Sequence, residues 1–248
     1  PQKTQDSPRK DGSRVEVSIV IAGYKTWYPA VDLWSMSSCR ITLVRHGETF
    51  WNREGIYQGH MDVEGCQLTP EGGLEATKLG ERFKAEQRTF SHLISSDLGR
   101  AFTTAANINL ALGLTHTTDA RLRERALGKF EGQHREEANK ILGSAATGGV
   151  AIDEGETAED VQNRALAAIE SIVCDNLGAN VLVVSHGGTI SLLLKKFLGL
   201  GLDAPCHFKV QNTSVSVVDC WPRETATDGE ARMDVIVTTF GDVAHLLQ

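Results

Sequence analysis

The stretch "CRITLVRHGETFWN", Cys39 to Asn52, carries the reading of the whole chain. Its apolar run "ITLV" (41–44) has the length and β-branched content of a buried strand, and it ends in Arg45, His46 and Gly47. A second run, "VLVVS" (181–185), ends in the same way, with His186, Gly187 and Gly188. Continuous apolar strands belong to parallel sheets covered on both faces, where ligands bind beyond the carboxyl ends of the strands. Both histidines are therefore expected at one crevice.

Outward from these two strands, strand and helix alternate. "HLIS" (92–95) reads as a third buried strand, followed by Arg100 about one turn into its helix and within reach of the same crevice. Thr69-Pro70 sets a capping hydroxyl before a first-turn proline and opens a helix through residue 86, with Leu74, Leu79 and Phe83 expected on its apolar side. Asp97 is expected to cap the helix that ends at Gly113. Thr157 and Asp160 form a capping box ahead of a helix over 161–177, and "TISLLLKKFLGL" (189–200) is a fourth helix. "SVSVVDCW" (214–221) and "ARMDVIVTTF" (231–240) alternate like a hairpin at the sheet edge. The expected fold is a three-layer α/β/α sandwich with a mostly parallel central sheet.

Residues 1–38 read as an N-terminal extension, partly disordered, ahead of a single domain at 39–248. Within the extension, Val15, Val17, Ile19 and Ile21 alternate like an edge strand, and Trp27, Tyr28 and Trp34 are candidates to dock on the main body. "GSAATGG" (143–149) reads as a mobile loop near the site.

Composition excludes several functions. The chain has 248 residues, 41% of them hydrophobic and 23% charged, which suits one large α/β domain. A net charge of −7 argues against a general nucleic-acid binder, so any anion has to be drawn in by a local positive pocket. The apolar runs are too short to span a bilayer, and no membrane partner is expected. Five scattered cysteines without a C-x-x-C pair point to a reducing, cytoplasmic compartment.

The chemistry that uses these residues is phosphoryl transfer. A neutral imidazole is a good nucleophile near neutral pH, and guanidinium forks match phosphate oxygens. His46 would attack phosphorus while Arg45, Arg100 and His186 stabilise the transferring group. Glu124, in "LRERALGKFEG", would protonate the leaving oxygen and then deprotonate the attacking water, because a carboxylate beside a phosphate dianion holds its proton to higher pH. Arg121, Arg123 and Lys129 are candidates for a second substrate anion or for a solvated face. His60, His92, His116, His207 and His245 read as packing or surface residues. Clustered metal ligands are absent from the pattern, so no metal and no cofactor are called for.

Taken as a set, "VRHGET-x-x-N", "LTPEG", "SSDL-x-R-x-x-T-A", "LRER-x-x-G-x-x-EG", "EGET", "VVSHGG" and "NTSVS" resemble the phosphoglycerate-mutase-like histidine phosphatases from about Arg40 onward. The resemblance implies a phosphorylated His46, a phosphate pocket of Arg45, Arg100 and His186, and Glu124 as proton donor. It also implies that Asn52 and the backbone near Gly187 complete the phosphate cradle, that Gln58 and Gly59 line the substrate side, and that the Gly47 carbonyl orients the nucleophile; of the three basic candidates, Arg123 is the one expected at the substrate. "LGKFEG" and the short segment up to "EGET" are similar to the phosphatase branch, including fructose-2,6-bisphosphatase-like and bacterial broad-specificity enzymes. The implied partner is a small phosphorylated metabolite such as a sugar bisphosphate or phosphoglycerate. A mutase, or a silent relative that binds phosphorylated ligands, are the competing readings.

Overall fold

The computed structural model describes residues 18–21, 24–27, 37–142, 152–222 and 233–247. Two units are present, Pro1–Ser37 and Ser38–Gln248. In the first, β1 (Ser18–Ile21) pairs antiparallel with β2 (Tyr24–Trp27) in a two-stranded sheet of their own. Val15, Val17, Tyr28, Trp34 and the loop at 143–149 lie outside the described residues.

The second unit is built on six strands, β3 (Cys39–Arg45), β4 (His92–Ser95), β5 (His116–Thr118), β6 (Asn180–Ser185), β7 (Val215–Pro222) and β8 (Met233–Asp242), in the order β5-β4-β6-β3-β7-β8. β5, β4, β6 and β3 run parallel, and β7 and β8 close the sheet as an antiparallel hairpin, β8 forming the edge. The central strands are buried on both faces, which is why they read as unbroken apolar runs. Val181 and Val183 of β6 face one core with Ile41 and Leu43 of β3, while Leu182 and Val184 face the other with Val44.

Helices cover each face. α5 (Ala158–Asp175) and α6 (Gly187–Phe197) pack Ala165, Ile169, Ile190 and Leu193 on the first core; α2 (Pro70–Ala85) and α3 (Gly99–Leu112) pack Ala76, Leu79, Phe83, Ala105 and Ile108 on the second. Two short helices, α1 (Phe50–Glu54) and α4 (Arg135–Leu142), lie in the connections. This is the expected three-layer architecture. α2 starts as expected, with the Thr69 hydroxyl accepting from the Gly72 N–H, and the Thr157–Asp160 box caps α5.

Two details of the expectation are corrected. Leu74 is 54% exposed, because the helix turns other residues inward: Ala76, Leu79 and Phe83 pack on the core, while Gly72 meets the Glu48 backbone and Gly80 the Ile108 backbone of α3. Asp97 does not cap α3: Arg123 takes both carboxylate oxygens at 2.7 and 2.5 Å, Leu98 occupies the cap position, and the Gly99 N–H donates instead to Asp62.

Leu43 is fully buried between β6 and β7 at the centre of the sheet. Leu43→Ala is expected to lower unfolding free energy by about 3 kcal/mol, read from urea denaturation. A loss under about 1 kcal/mol would mean that the site collapses around the cavity.

Candidate active site

β3 and β6 pair in register, with Arg45 opposite Ser185, so His46 and His186 leave the sheet side by side, their ring centroids 5.2 Å apart. The His46 N–H donates to the Ser185 carbonyl at 2.9 Å, which fixes the turn out of β3. Gly47 follows because the start of α2 presses on it: a Cβ there would collide with the Gly72 carbonyl. "HGET" and "TPEGG" are thus two sides of one close backbone contact, and Thr49 then caps α1 in a box with Asn52.

His46 is 3% exposed, and its Nδ1 sits 2.8 Å from the Gly47 carbonyl. A carbonyl only accepts, so Nδ1 carries the proton and Nε2 the lone pair. Burial, with the Arg45 and Arg100 guanidinium groups beside it, holds the ring well below its ordinary pKa. Burial also lowers Arg45 to about 10, still cationic at neutrality. Arg45 Nη1 donates to the Val210 carbonyl at 2.8 Å, but its Nε is buried without a partner.

Arg100 is 1% exposed. Its Nη2 donates to the Gly59 carbonyl at 2.7 Å, Nη1 to the Met61 carbonyl at 3.1 Å and Nε to His186 Nδ1 at 3.3 Å. Since arginine only donates, His186 Nδ1 accepts, and His186 Nε2 donates to the Ser96 hydroxyl at 2.9 Å. Burial, followed by Arg100 and His46, holds this ring neutral too.

Glu124 meets the N-terminus of α6. Its carboxyl oxygens accept from the N–H groups of Gly188 at 3.0 Å, Thr189 at 3.2 Å and Arg125 at 3.0 Å, which fixes the side chain at the helix start. A Cβ on Gly188 would fall 2.5 Å from Glu124 Oε1, so only glycine lets the carboxylate in.

These groups line a cavity of about 700 Å³, within the usual range for a small-molecule site. Arg45, His46, Asn52, Gln58, Gly59, Arg100, Glu124 and Gly187 are all on its wall. His186 stands one layer behind, bonded to Arg100. Arg123, expected on the substrate side, is absent from the wall because Asp97 holds its guanidinium. Arg121 is likewise paired with Asp119.

Residues that sequence reasoning passed over join the wall: Arg125, Arg135 and Lys209 add positive charge, with Tyr57, Phe208 and Asn212 beside them. Arg135 Nε and Gln58 Oε1 are buried and unpartnered. Asn212 Nδ2 donates to the His46 carbonyl at 2.9 Å and to Asn52 Oδ1 at 3.1 Å. Thr213 holds a left-handed φ of +52°, uncommon for a β-branched residue, and its N–H points at the carbonyls of Arg45 and His46. His245 Nε2 lies 2.9 Å from the Thr213 hydroxyl, with burial lowering that ring to about 4. The one hint in the sequence was "NTSVS", which placed an asparagine just before a strand.

Among the described residues no three or more His, Cys, Asp or Glu side chains are grouped to hold a metal ion, and no helix is long and apolar enough to cross a membrane. Around a neutral imidazole, then, the site offers buried cations without their full set of partners and a carboxylate on a helix start. That set can accept a phosphoryl group and move a proton.

The chain belongs to the histidine phosphatase superfamily, branch 1, whose sequence model matches residues 41–229. Membership makes it an enzyme of the histidine phosphatase class. It is 36% identical over 215 residues to a Citrobacter koseri protein named "Probable phosphoglycerate mutase GpmB", covering 84% of this chain and 94% of that one. YhfR of Bacillus stearothermophilus superposes with a TM-score of 0.68 at 32% identity, over 84% of this chain and 99% of that one. A mycobacterial glucosyl-3-phosphoglycerate phosphatase does so with a TM-score of 0.68 at 25% identity, over 82% and 99%.

Two predictions follow from the geometry. Gly188→Ala should displace the Glu124 carboxylate and lower kcat about 100-fold without unfolding the protein, as steady-state rates and circular dichroism will report. The histidine shifts set a pH dependence. His46, His186 and His245 are held below their ordinary value of 6.5, so the unfolded chain binds more protons below that pH. Stability should therefore be full above 6.5 and fall as pH drops, by up to about 1.4 kcal/mol per pH unit for each histidine. Urea titrations between pH 7 and 5 should show a shallower slope for His46→Gln; an unchanged slope refutes the assignment.

Proposed function

We propose that the chain is a metal-independent phosphomonoesterase that hydrolyses a small phosphorylated metabolite through a phosphohistidine at His46. The observation that carries this reading is the His46 imidazole, neutral, tied at Nδ1 to Gly47 and set in a cavity lined by Arg45 and Arg100. In the first step the Nε2 lone pair forms the N–P bond as the P–O bond to the leaving group breaks, and the Glu124 carboxyl gives its proton to that oxygen. In the second, the Glu124 carboxylate takes a proton from water, whose oxygen bonds to phosphorus as the N–P bond breaks and phosphate leaves.

Arg45 and Arg100 neutralise the transferring group, with Asn52 and the backbone at Gly187 completing its cradle. His186 acts through Arg100, whose Nε it accepts. Gln58 and Gly59 lie on the leaving-group side. Arg125, Arg135 and Lys209 supply charge for a second anionic group, which favours a sugar bisphosphate such as fructose-2,6-bisphosphate, or a phosphoglycerate, over a sugar monophosphate with no second anionic group. The catalytic domain is residues 39–248, with 1–38 an appendage, and five unbridged cysteines suit a reducing, cytoplasmic setting.

The name of the Citrobacter relative supports a second reading, a phosphoglycerate mutase. A mutase would isomerise monophosphoglycerates faster than it releases phosphate.

Brief incubation with labelled substrates decides the mechanism. Acid-labile, base-stable label on the wild type, missing from His46→Ala, is the expected result; label that survives in the variant overturns it. Glu124→Gln should lower kcat by about 10²–10⁴ with KM nearly unchanged. Full activity should persist in EDTA, and a loss restored by added divalent metal would refute the metal-free mechanism.

A further inference from the structure

Glu124 has to hold its carboxyl at the leaving oxygen, yet it sits on a segment with no regular secondary structure, between Leu122 and Ala126. What holds that segment is a side chain from α5, which packs on the same core as Leu122. Arg164, in the second turn of α5, sends Nη1 to the carbonyls of Arg121 at 2.8 Å and Arg123 at 2.7 Å, and Nη2 to the carbonyl of Glu124 itself at 2.8 Å. The same guanidinium is gripped by Glu156: Nε donates to Oε1 at 2.7 Å and Nη2 to Oε2 at 2.8 Å.

Glu156 holds the other flank of the segment. Its Oε2 accepts from the Ala126 N–H at 2.9 Å, its own N–H donates to the Ala126 carbonyl at 3.0 Å, and its carbonyl accepts from Arg125 Nε at 2.7 Å. His60 Nε2 donates to the Glu124 carbonyl from a third direction at 2.7 Å. Both sides of Glu124 are therefore bonded to one ion pair that is only about one-fifth exposed at either partner. Burial pushes the Glu156 carboxyl up, and its bonds from Arg164 and the Ala126 N–H outweigh that and hold it below the usual range.

We propose that Arg164 and Glu156 are positioning residues for the general acid, fixing the Glu124 backbone so that its carboxyl meets the leaving oxygen rather than the phosphoryl group. The reading rests on the role given to Glu124 under the proposed function. A displaced acid slows esters whose leaving group needs a proton and spares those whose leaving group departs as a stable anion. Phenyl phosphate and p-nitrophenyl phosphate have nearly the same shape and differ in this respect.

The test is rapid-quench measurement of His46 phosphorylation by both esters in the wild type, Arg164→Met, Glu156→Gln and Glu124→Gln. Both positioning variants should slow phosphorylation by phenyl phosphate about tenfold or more and by p-nitrophenyl phosphate less than about threefold. Equal slowing of the two esters, or no slowing of either, overturns the proposal. If Arg164→Met does not fold, Glu156→Gln decides by the same criterion, since it keeps the side chain's size and one acceptor. Selective loss in Glu124→Gln alone refutes only the positioning role. Equal loss on both esters in Glu124→Gln, or a wild type that takes no label, refutes the acid or phosphohistidine assignment itself.

Discussion

The parallel pairing of β3 with β6 is the constraint on which the rest of the site depends. It sets two strand ends level, so that one backbone delivers Arg45 and His46 and the other delivers His186 and the start of α6. A shift of one residue would turn Ile41 and Leu43 into the wrong core and carry the histidines to opposite faces. The same register that closes both hydrophobic layers therefore sets the spacing of the two histidines.

Around that register the protein runs against its own net charge. An acidic molecule has concentrated arginines at one end of its sheet and buried two of them almost fully, in surroundings that disfavour any protonated histidine. Cations desolvated in this way are unfavourable until an anion meets them, and unpartnered nitrogens on Arg45 and Arg135 show where it would be met. Burial first, and the neighbouring arginines second, keep the His46 ring uncharged, so the cations placed to meet an anion also help to keep its lone pair free.

The strand ends around the cavity were legible because they obey local rules. Apolar runs ending in charge, a hydroxyl before a proline and glycines behind a histidine each have a mechanism confined to a few residues, and these marked β3, β6 and α2 together with Arg45, His46, Arg100 and Glu124, which the fold brings to one cavity wall. What failed depended on distance in the chain. Arg123 and Arg125 flank Glu124 symmetrically in sequence, and only the fold shows that Asp97, 26 residues away, claims the first while the second reaches the cavity. Leu74 reads as core by type, yet the inward side of α2 is Gly72, Ala76, Leu79, Gly80 and Phe83, and Leu74 falls outside it. Lys209 and Asn212 arrive on a connection with no periodicity to mark them, and Arg135 opens the short helix α4.

Thr213 holds a backbone conformation that costs about 1–3 kcal/mol, and it does so where its N–H meets the carbonyls of Arg45 and His46. A left-handed β-branched residue and a buried, uncharged imidazole therefore lie side by side. Changes there that make the protein more heat-resistant will tend to loosen the geometry on which turnover depends. Thermal robustness is safer to seek at the outer sheet edges, β5 and β8, and on the exposed faces of α2 and α3 beyond their first turns, which meet Gly47 and carry Arg100.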